Sequence, residues 1–268
     1  MLTVHTLASG SEGNCLLLSG GSVHLLVDAG ISARRITASL RSLGLSPCDV
    51  AAVLLTHEHT DHTAGLATLT KQYRLPLYAS DGTAAALSLR CPALRDVLRP
   101  IPRRCEFALG DVTVTVFPTS HDAAGSVDYR FDRLGASVGV LTDTGFVTDA
   151  ARESLAGVDT LLLEANHDVE TLQYGPYPYF LKRRILGDGG HLSNDAAAEF
   201  ARLAVQSGTR DILLAHLSKE NNTPELAEYA VARALQSAGL SVRLGVAPRD
   251  TMSEVHLCRR SPSFASAN

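Results

Sequence analysis

Along the first third of the chain, short apolar runs alternate with clusters of small polar residues. Residues 2–7, 15–18 and 23–27 are such runs, and the Ser/Gly-rich stretches between them predict strands joined by tight turns. Residues 50–55 form an unbroken apolar run ending at Thr56, the pattern of a strand buried on both faces. Further strands are predicted at 112–117, 126–131, 137–141, 160–163 and 212–215. Between them, apolar positions recur at helical spacing over 33–43, 64–73, 83–89, 148–156, 195–206 and 224–238. Asn194 and Thr223 suit the caps of the last two helices, and Pro224 suits a first helical position.

Strands mixed with helices throughout, with no repeat and no long linker, predict one α/β domain over residues 1–260. The small, polar stretch 261–268 reads as a disordered tail. With 268 residues, 45% of them hydrophobic and 19% charged, the chain has enough apolar material for a sizeable core. No apolar run reaches the length of a membrane span, and the first ten residues lack the basic and apolar regions of a signal peptide. No membrane partner is expected. Cys15, Cys48, Cys91, Cys105 and Cys258 are scattered, without a C-x-x-C pair, as reduced thiols of a cytoplasmic protein would be. That argues against a secreted antibiotic-degrading enzyme.

Charge changes the picture little. The net charge of −4 does not favour a nucleic-acid partner, yet Arg90, Arg95, Arg99, Arg103 and Arg104 crowd one segment and Lys182, Arg183 and Arg184 another. Bound divalent ions would add positive charge that the formal count omits.

The chemistry is concentrated after the 50–55 run, in Thr56-His57-Glu58-His59-Thr60-Asp61-His62. Three imidazoles and an aspartate lie within six residues at the end of a rigid strand, and these are the donors that zinc and similar metals take. His121, Asp143 and His216 each follow another predicted strand. Alone, each is as readily a structural residue; their common placement at strand ends brings them into one reading. His57, His59 and His121 would hold one divalent ion, Asp61, His62 and His216 a second, with Asp143 bridging. Zinc and manganese both suit this donor set.

This order of residues, H-x-H-x-D-H followed by His, Asp and His, resembles the metallo-β-lactamase superfamily. The resemblance implies an αββα four-layer sandwich with the site on one edge, between two sheets. Asp143 stands where antibiotic-cleaving members often carry cysteine, so the set is closer to the oxygen-rich dinuclear sites of phosphodiesterase and thioesterase branches. Further stretches are similar to the YycJ/WalJ-like proteins: Leu7-Ala8-Ser9-Gly10-Ser11-Glu12-Gly13-Asn14, Leu26-Val27-Asp28-Ala29-Gly30, Glu164-Ala165-Asn166-His167-Asp168, Gly190-His191-Leu192-Ser193-Asn194 and Ala215-His216-Leu217-Ser218-Lys219-Glu220-Asn221-Asn222-Thr223. That likeness implies metal-dependent nuclease action on DNA with 5′→3′ exonuclease polarity. The span from Asp143 to His216 is too short for the inserted cap domain of neighbouring nucleases. The span from His121 to Asp143 leaves no room for the RNA-binding arm of the tRNA 3′-end processing enzymes.

Segments around Glu164 and His191 nevertheless look like the catalytic ones of those tRNA enzymes. On that likeness His191 would donate a proton to the leaving oxygen, Glu164 would orient His191, and Asp61 would orient the attacking water. Ser11, Asn14 and His167 are candidate substrate contacts; His167 is equally readable as a substitute ligand or a loop cap. Tyr174, Tyr177, Tyr179 and Phe180 could stack bases, or could pack within a loop or against another subunit. His5, His24 and His256 lack supporting neighbours and read as structural. Two other functions stay open: hydrolysis of a small thioester or lactone on the same scaffold, and non-catalytic regulatory DNA binding.

Overall fold

The computed structural model describes residues 2–258, so the tail expected at 261–268 lies outside the described residues. The first half of the chain builds one sheet and its helices: β1 (Leu2–Ala8), β2 (Cys15–Gly20), β3 (Val23–Val27), α1 (Ala33–Ser42), β4 (Val50–Leu54), α2 (Thr60–Thr63), α3 (Leu66–Tyr73), β5 (Leu77–Ser80), α4 (Asp81–Arg90) and β6 (Leu98–Ile101). The second half builds the other: β7 (Cys105–Leu109), β8 (Val112–Pro118), β9 (Val127–Arg133), β10 (Ala136–Leu141), α5 (Asp149–Leu155), β11 (Thr160–Glu164), α6 (Val169–Tyr174), α7 (Tyr179–Leu186), α8 (Asn194–Ser207), β12 (Asp211–Ala215), α9 (Pro224–Ser237) and β13 (Arg243–Val246). β14 (His256–Cys258) then crosses back to pair with β1.

Among the described residues the strand orders are β14-β1-β2-β3-β4-β5-β6 and β13-β12-β11-β10-β9-β8-β7. In each sheet an antiparallel half gives way to a parallel one: β3 to β6 run parallel in the first, and β10 to β13 in the second. Parallel strands need crossover helices, and those helices cover the outer faces.

Alternation of side chains across each strand divides the apolar residues into three layers. Val4, Leu18, Leu25, Leu54, Val114, Val116, Tyr129, Phe131, Val138 and Val140 meet between the sheets. Leu17, Leu26 and Val53 face the other way, onto Ile36, Leu40, Leu66 and Leu69 of α1 and α3. Leu161, Leu163, Ile212 and Leu214 likewise face Leu155, Phe200, Ala201 and Val231 of α5, α8 and α9. The result is the αββα four-layer sandwich. Consecutive outward and inward burial explains why β11 and β12 read as continuous apolar runs.

The predicted helix over 64–73 is α3, which starts at Leu66 with Gly65 as its N-cap, and a separate short helix, α2, precedes it over Thr60–Thr63. Ser193 rather than Asn194 caps α8, its hydroxyl accepting from the Ala196 N–H, while Thr223 caps α9 as expected. No helix among the described residues is long and apolar enough to cross a membrane.

Candidate metal centre

The ends of β3, β4, β10, β11 and β12 and the loop after β8 converge on one edge of the sandwich. β4 delivers the His57–His62 segment, whose start is held by Asp28 at the end of β3. The Asp28 carboxylate accepts from the Thr56 N–H at 2.9 Å and from the Thr56 hydroxyl at 2.8 Å. Its Oδ2 also lies 2.7 Å from His62 Nδ1, which turns the opposite nitrogen, Nε2, into the site. Opposite, His216 ends β12 with its N–H donating to Ser9 Oγ at 2.9 Å. Asp28, Asp143 and His216 all adopt left-handed backbone, with φ of 60°, 51° and 56°. A non-glycine residue there costs about 1–2 kcal/mol, and such strain is characteristic of sites where a side chain must be turned sharply out of a strand.

Three donor atoms of His57, His59 and His121 lie within 4.8 Å of one another, and so do those of Asp61, His62 and His216. Asp143 stands between the two groups. Its Oδ2 is 3.3 Å from His62 Nε2, and its Oδ1 is 3.5 Å from His216 Nε2 and 3.8 Å from His121 Nε2. Behind the donors, the second ring nitrogens are occupied: His57 Nδ1 lies 3.0 Å from Thr56 Oγ1, His121 Nδ1 3.0 Å from the Gly190 carbonyl and His216 Nδ1 3.0 Å from Glu164 Oε1. That leaves His57 Nε2, His216 Nε2 and Asp143 Oδ2 buried without a hydrogen-bond partner. Buried polar atoms without partners are costly, and imidazoles backed by carbonyl or carboxylate on the far nitrogen are how proteins orient metal ligands. The residues therefore fit a divalent metal centre.

The electrostatics of the donors agree with that fit. Burial holds the His57 pKa well below the usual imidazole range, and neighbouring His62, His121 and His59 push it further the same way. Burial also opposes charge on His216, but Asp143, Asp61 and Glu164 outweigh it and raise its pKa to about 10. Asp61 is held ionised despite burial, chiefly through its contacts with His216 and His62. A pocket where carboxylates concentrate negative charge around buried imidazoles is one that a cation would neutralise.

Beside this cluster, His191 Nδ1 lies 2.8 Å from Glu164 Oε1. Glu164 is fully buried, and its Oε2 accepts the Thr144 N–H at 3.0 Å and the Leu192 N–H at 3.2 Å. His191 first, and then His216, keep the carboxylate ionised against the desolvation that burial imposes. Asn14 Nδ2 reaches His62 Nε2 at 3.1 Å and Asp61 Oδ2 at 3.5 Å, whereas Ser11 is exposed on the same turn. The His167 ring is 1% exposed, neither nitrogen bonds to a protein group, and burial lowers its pKa to about 4. It stands outside the donor groups of the described residues, and Asp168, not His167, caps α6.

Two further residues contribute without standing out in the sequence: Asp28 within Leu26-Val27-Asp28-Ala29-Gly30, and Glu58 between two histidines. Glu58 Oε1 accepts the Ala124 N–H at 2.8 Å, which ties the first ligand segment to the loop carrying His121. In the arginine-rich segment, Arg90 bonds the Thr63 hydroxyl, Arg95 and Arg103 bond main-chain carbonyls, and Arg104 pairs with Glu153, so these guanidinium groups also tie the fold together. His5, His24 and His256 bond Ser253 O, Ser19 Oγ and Asp211 Oδ2, consistent with structural roles.

Residues 24–217 match the family model described as "Beta-lactamase superfamily domain". The chain belongs to this superfamily. Within the β-lactamase superfamily it is 38% identical over 244 residues to the exodeoxyribonuclease YycJ of Bacillus anthracis, covering 88% of this chain and 90% of that protein. It is 40% identical over 250 residues to the exodeoxyribonuclease WalJ of Streptococcus pneumoniae serotype 2, covering 91% and 92%. Among solved structures, the metallo-β-lactamase fold protein YhfI of Bacillus subtilis superposes with a TM-score of 0.70 at 19% identity, over 94% of this chain and 98% of that one. That likeness establishes the metallo-β-lactamase fold.

Proposed function

We propose that the protein is a dinuclear metal-dependent phosphodiesterase acting on nucleic acid, specifically a 5′→3′ exonuclease of DNA. The observation that carries the reading is the His191–Glu164 pair set against the convergent donors, in a chain closely related to two exodeoxyribonucleases over nearly its whole length. In this reading His57, His59 and His121 hold one ion, Asp61, His62 and His216 the other, and Asp143 serves both. Zinc or manganese fits the donors, and the reduced cysteines fit a cytoplasmic setting.

When bound, divalent ions supply Lewis-acid stabilisation of phosphoryl charge and a water acidified to ionise near neutral pH. The remaining steps fall to the chain. Asp61, ionised and only partly buried, orients the attacking water. Glu164 accepts from His191 Nδ1 and so fixes the ring, leaving Nε2 as the atom that donates a proton to the leaving oxygen. Asn14, bonded to the Gly10 carbonyl and reaching toward Asp61, positions the Ser9–Asn14 turn beside the scissile group, and Ser11 extends that turn outward. His167 lies buried beside Ser193 and Asn194 at the start of α8.

The test uses purified protein with Mn²⁺ or Zn²⁺ on DNA labelled at either end, beside a His59→Ala control. Metal-dependent degradation that is lost in the control supports the nuclease, and the order in which the labels are released reads the polarity. Absence of degradation by protein that carries two ions overturns it in favour of a small thioester or lactone.

A further inference from the structure

The segment that leads into His191 presents an exposed aromatic and basic face that the metal centre does not use. Tyr174, Tyr179 and Phe180 are 87%, 75% and 72% exposed. Residues 174–186 contain Lys182, Arg183 and Arg184 and no acidic residue, in a chain whose net charge is −4. Lys182 Nζ donates to the Gln173 and Gly175 carbonyls at 2.8 and 2.7 Å, which locks the end of α6 to α7. The Arg183 guanidinium lies 6.0 Å from the centre of the Tyr179 ring. Exposing rings of this size to water is unfavourable, so the cluster calls for an occupant.

α7 is anchored to the metal centre at its other end. Arg184 Nε pairs with Asp122 at 2.5 Å, and Asp122 Oδ1 is 3.5 Å from His121 Nε2. The His191 N–H donates to the Ile185 carbonyl at 3.0 Å, and the Asp122 N–H to the Gly189 carbonyl at 3.0 Å. Half-exposed Phe146 follows Gly145, whose Cα packs so closely on the Asp188 carbonyl that a Cβ would come within 2.2 Å of it. α7 therefore connects the exposed rings at its N-terminal end to the rim of the site. The eight residues of α7 separate its ends by roughly 10 Å, about the length of three stacked bases at 3.4 Å each.

Resting on the nuclease reading above, we propose that Tyr174, Tyr179, Phe180 and Arg183 form the platform that grips unpaired nucleic acid a few nucleotides from the scissile phosphate. Rings stack only on bases that are not already stacked in a duplex, and the positive charge complements the backbone phosphates. The occupant is thus a single strand. A double helix would offer its phosphates but no free base faces.

The test compares the full chain with a Tyr179→Ala/Phe180→Ala variant on a single-stranded 12-mer and on a dinucleotide, which is too short to reach from the metal centre to the platform. A Tyr229→Ala variant is the control, because Tyr229 is an exposed ring with Arg233 at 5.9 Å on α9, a similar pair away from α7. The double variant should raise KM for the 12-mer about 10- to 100-fold, with kcat within a few-fold and its advantage over the dinucleotide lost. Tyr229→Ala should leave that advantage in place. An unchanged KM for the 12-mer overturns the platform while leaving the nuclease standing; a wild-type protein that cleaves neither substrate overturns the nuclease itself. If light scattering shows a wild-type dimer that the double variant splits without changing KM, the face belongs to a second copy and the platform is likewise overturned.

Discussion

At the scale of single residues, the centre depends on carboxylates that touch no substrate. Glu164 is shared between His191 and His216, so one buried charge orients both a candidate proton donor and a candidate ligand. Replacing His191 by alanine leaves Glu164 with three other donors, so metal content should hold while kcat falls by about 10²–10⁴-fold, the usual worth of a positioned acid. Steady-state rates alongside elemental analysis check this; unchanged turnover would remove His191 from the mechanism. Asp28 plays the matching part for His62. An Asp28→Asn variant keeps the shape and one acceptor but weakens the hold on both His62 Nδ1 and the Thr56 hydroxyl, so metal affinity should drop about 10- to 100-fold. Competition with a chromophoric chelator measures it, and equal affinity in a variant of normal stability would show Asp28 to be a fold residue only.

At the scale of elements, the strand ends make the candidate site legible in sequence, because a candidate ligand that follows an apolar run needs no knowledge of tertiary contacts to be noticed. His57, His59, Asp61 and His62 are also close in sequence. Asp28 was not legible in the same way, since its meaning lies in a contact with His62, 34 positions away. The same holds for Asn14, whose partner His62 is 48 positions distant. Among the strands, β6 was hidden by the Pro100 in its Leu98–Ile101 run; proline is tolerated because β6 is a sheet edge. β5, β13 and β14 are too short for alternation to register. Gly30 shows how tightly the elements meet. A Cβ there would fall 1.6 Å from the Asp61 carbonyl oxygen, because the Gly30 N–H and the Asn14 N–H stitch three loops together through the Asn14 and Asp61 carbonyls. Gly30→Ala must push the Asp61–His62 segment away. It should lower stability by roughly 1–3 kcal/mol and reduce the bound metal to less than that of the wild type. A thermal melt with metal analysis decides it; full metal occupancy at an unchanged Tm would mean the loops yield without cost.

At the scale of the whole molecule, the two sheets contribute opposite walls of one site. His57, His59, Asp61 and His62 come from the first half of the chain, and His121, Asp143 and His216 from the second. Between the sheets most contacts are apolar and non-directional, with a few hydrogen bonds such as Tyr129 O–H to the Leu55 carbonyl and the Val127 N–H to the Thr56 carbonyl. Ions held across this edge would therefore act as cross-links between the halves, in addition to satisfying His57 Nε2, His216 Nε2 and Asp143 Oδ2. An ion present at a thousand times its dissociation constant adds about 4 kcal/mol to the folded state. In a domain of this size that corresponds to roughly 10 °C in Tm. Exhaustive chelation should lower Tm by about that amount, and Mn²⁺ or Zn²⁺ should restore it. His59→Ala should respond less, because one wall has lost a donor while the hydrophobic core is untouched. If protein stripped of its metal, as judged by elemental analysis, melts at the same temperature as the loaded form, the sheets are held together by the sandwich's own contacts without help from the ions. The strained turns at Asp28, Asp143 and His216 would then be stabilised by the sandwich and not by the ions.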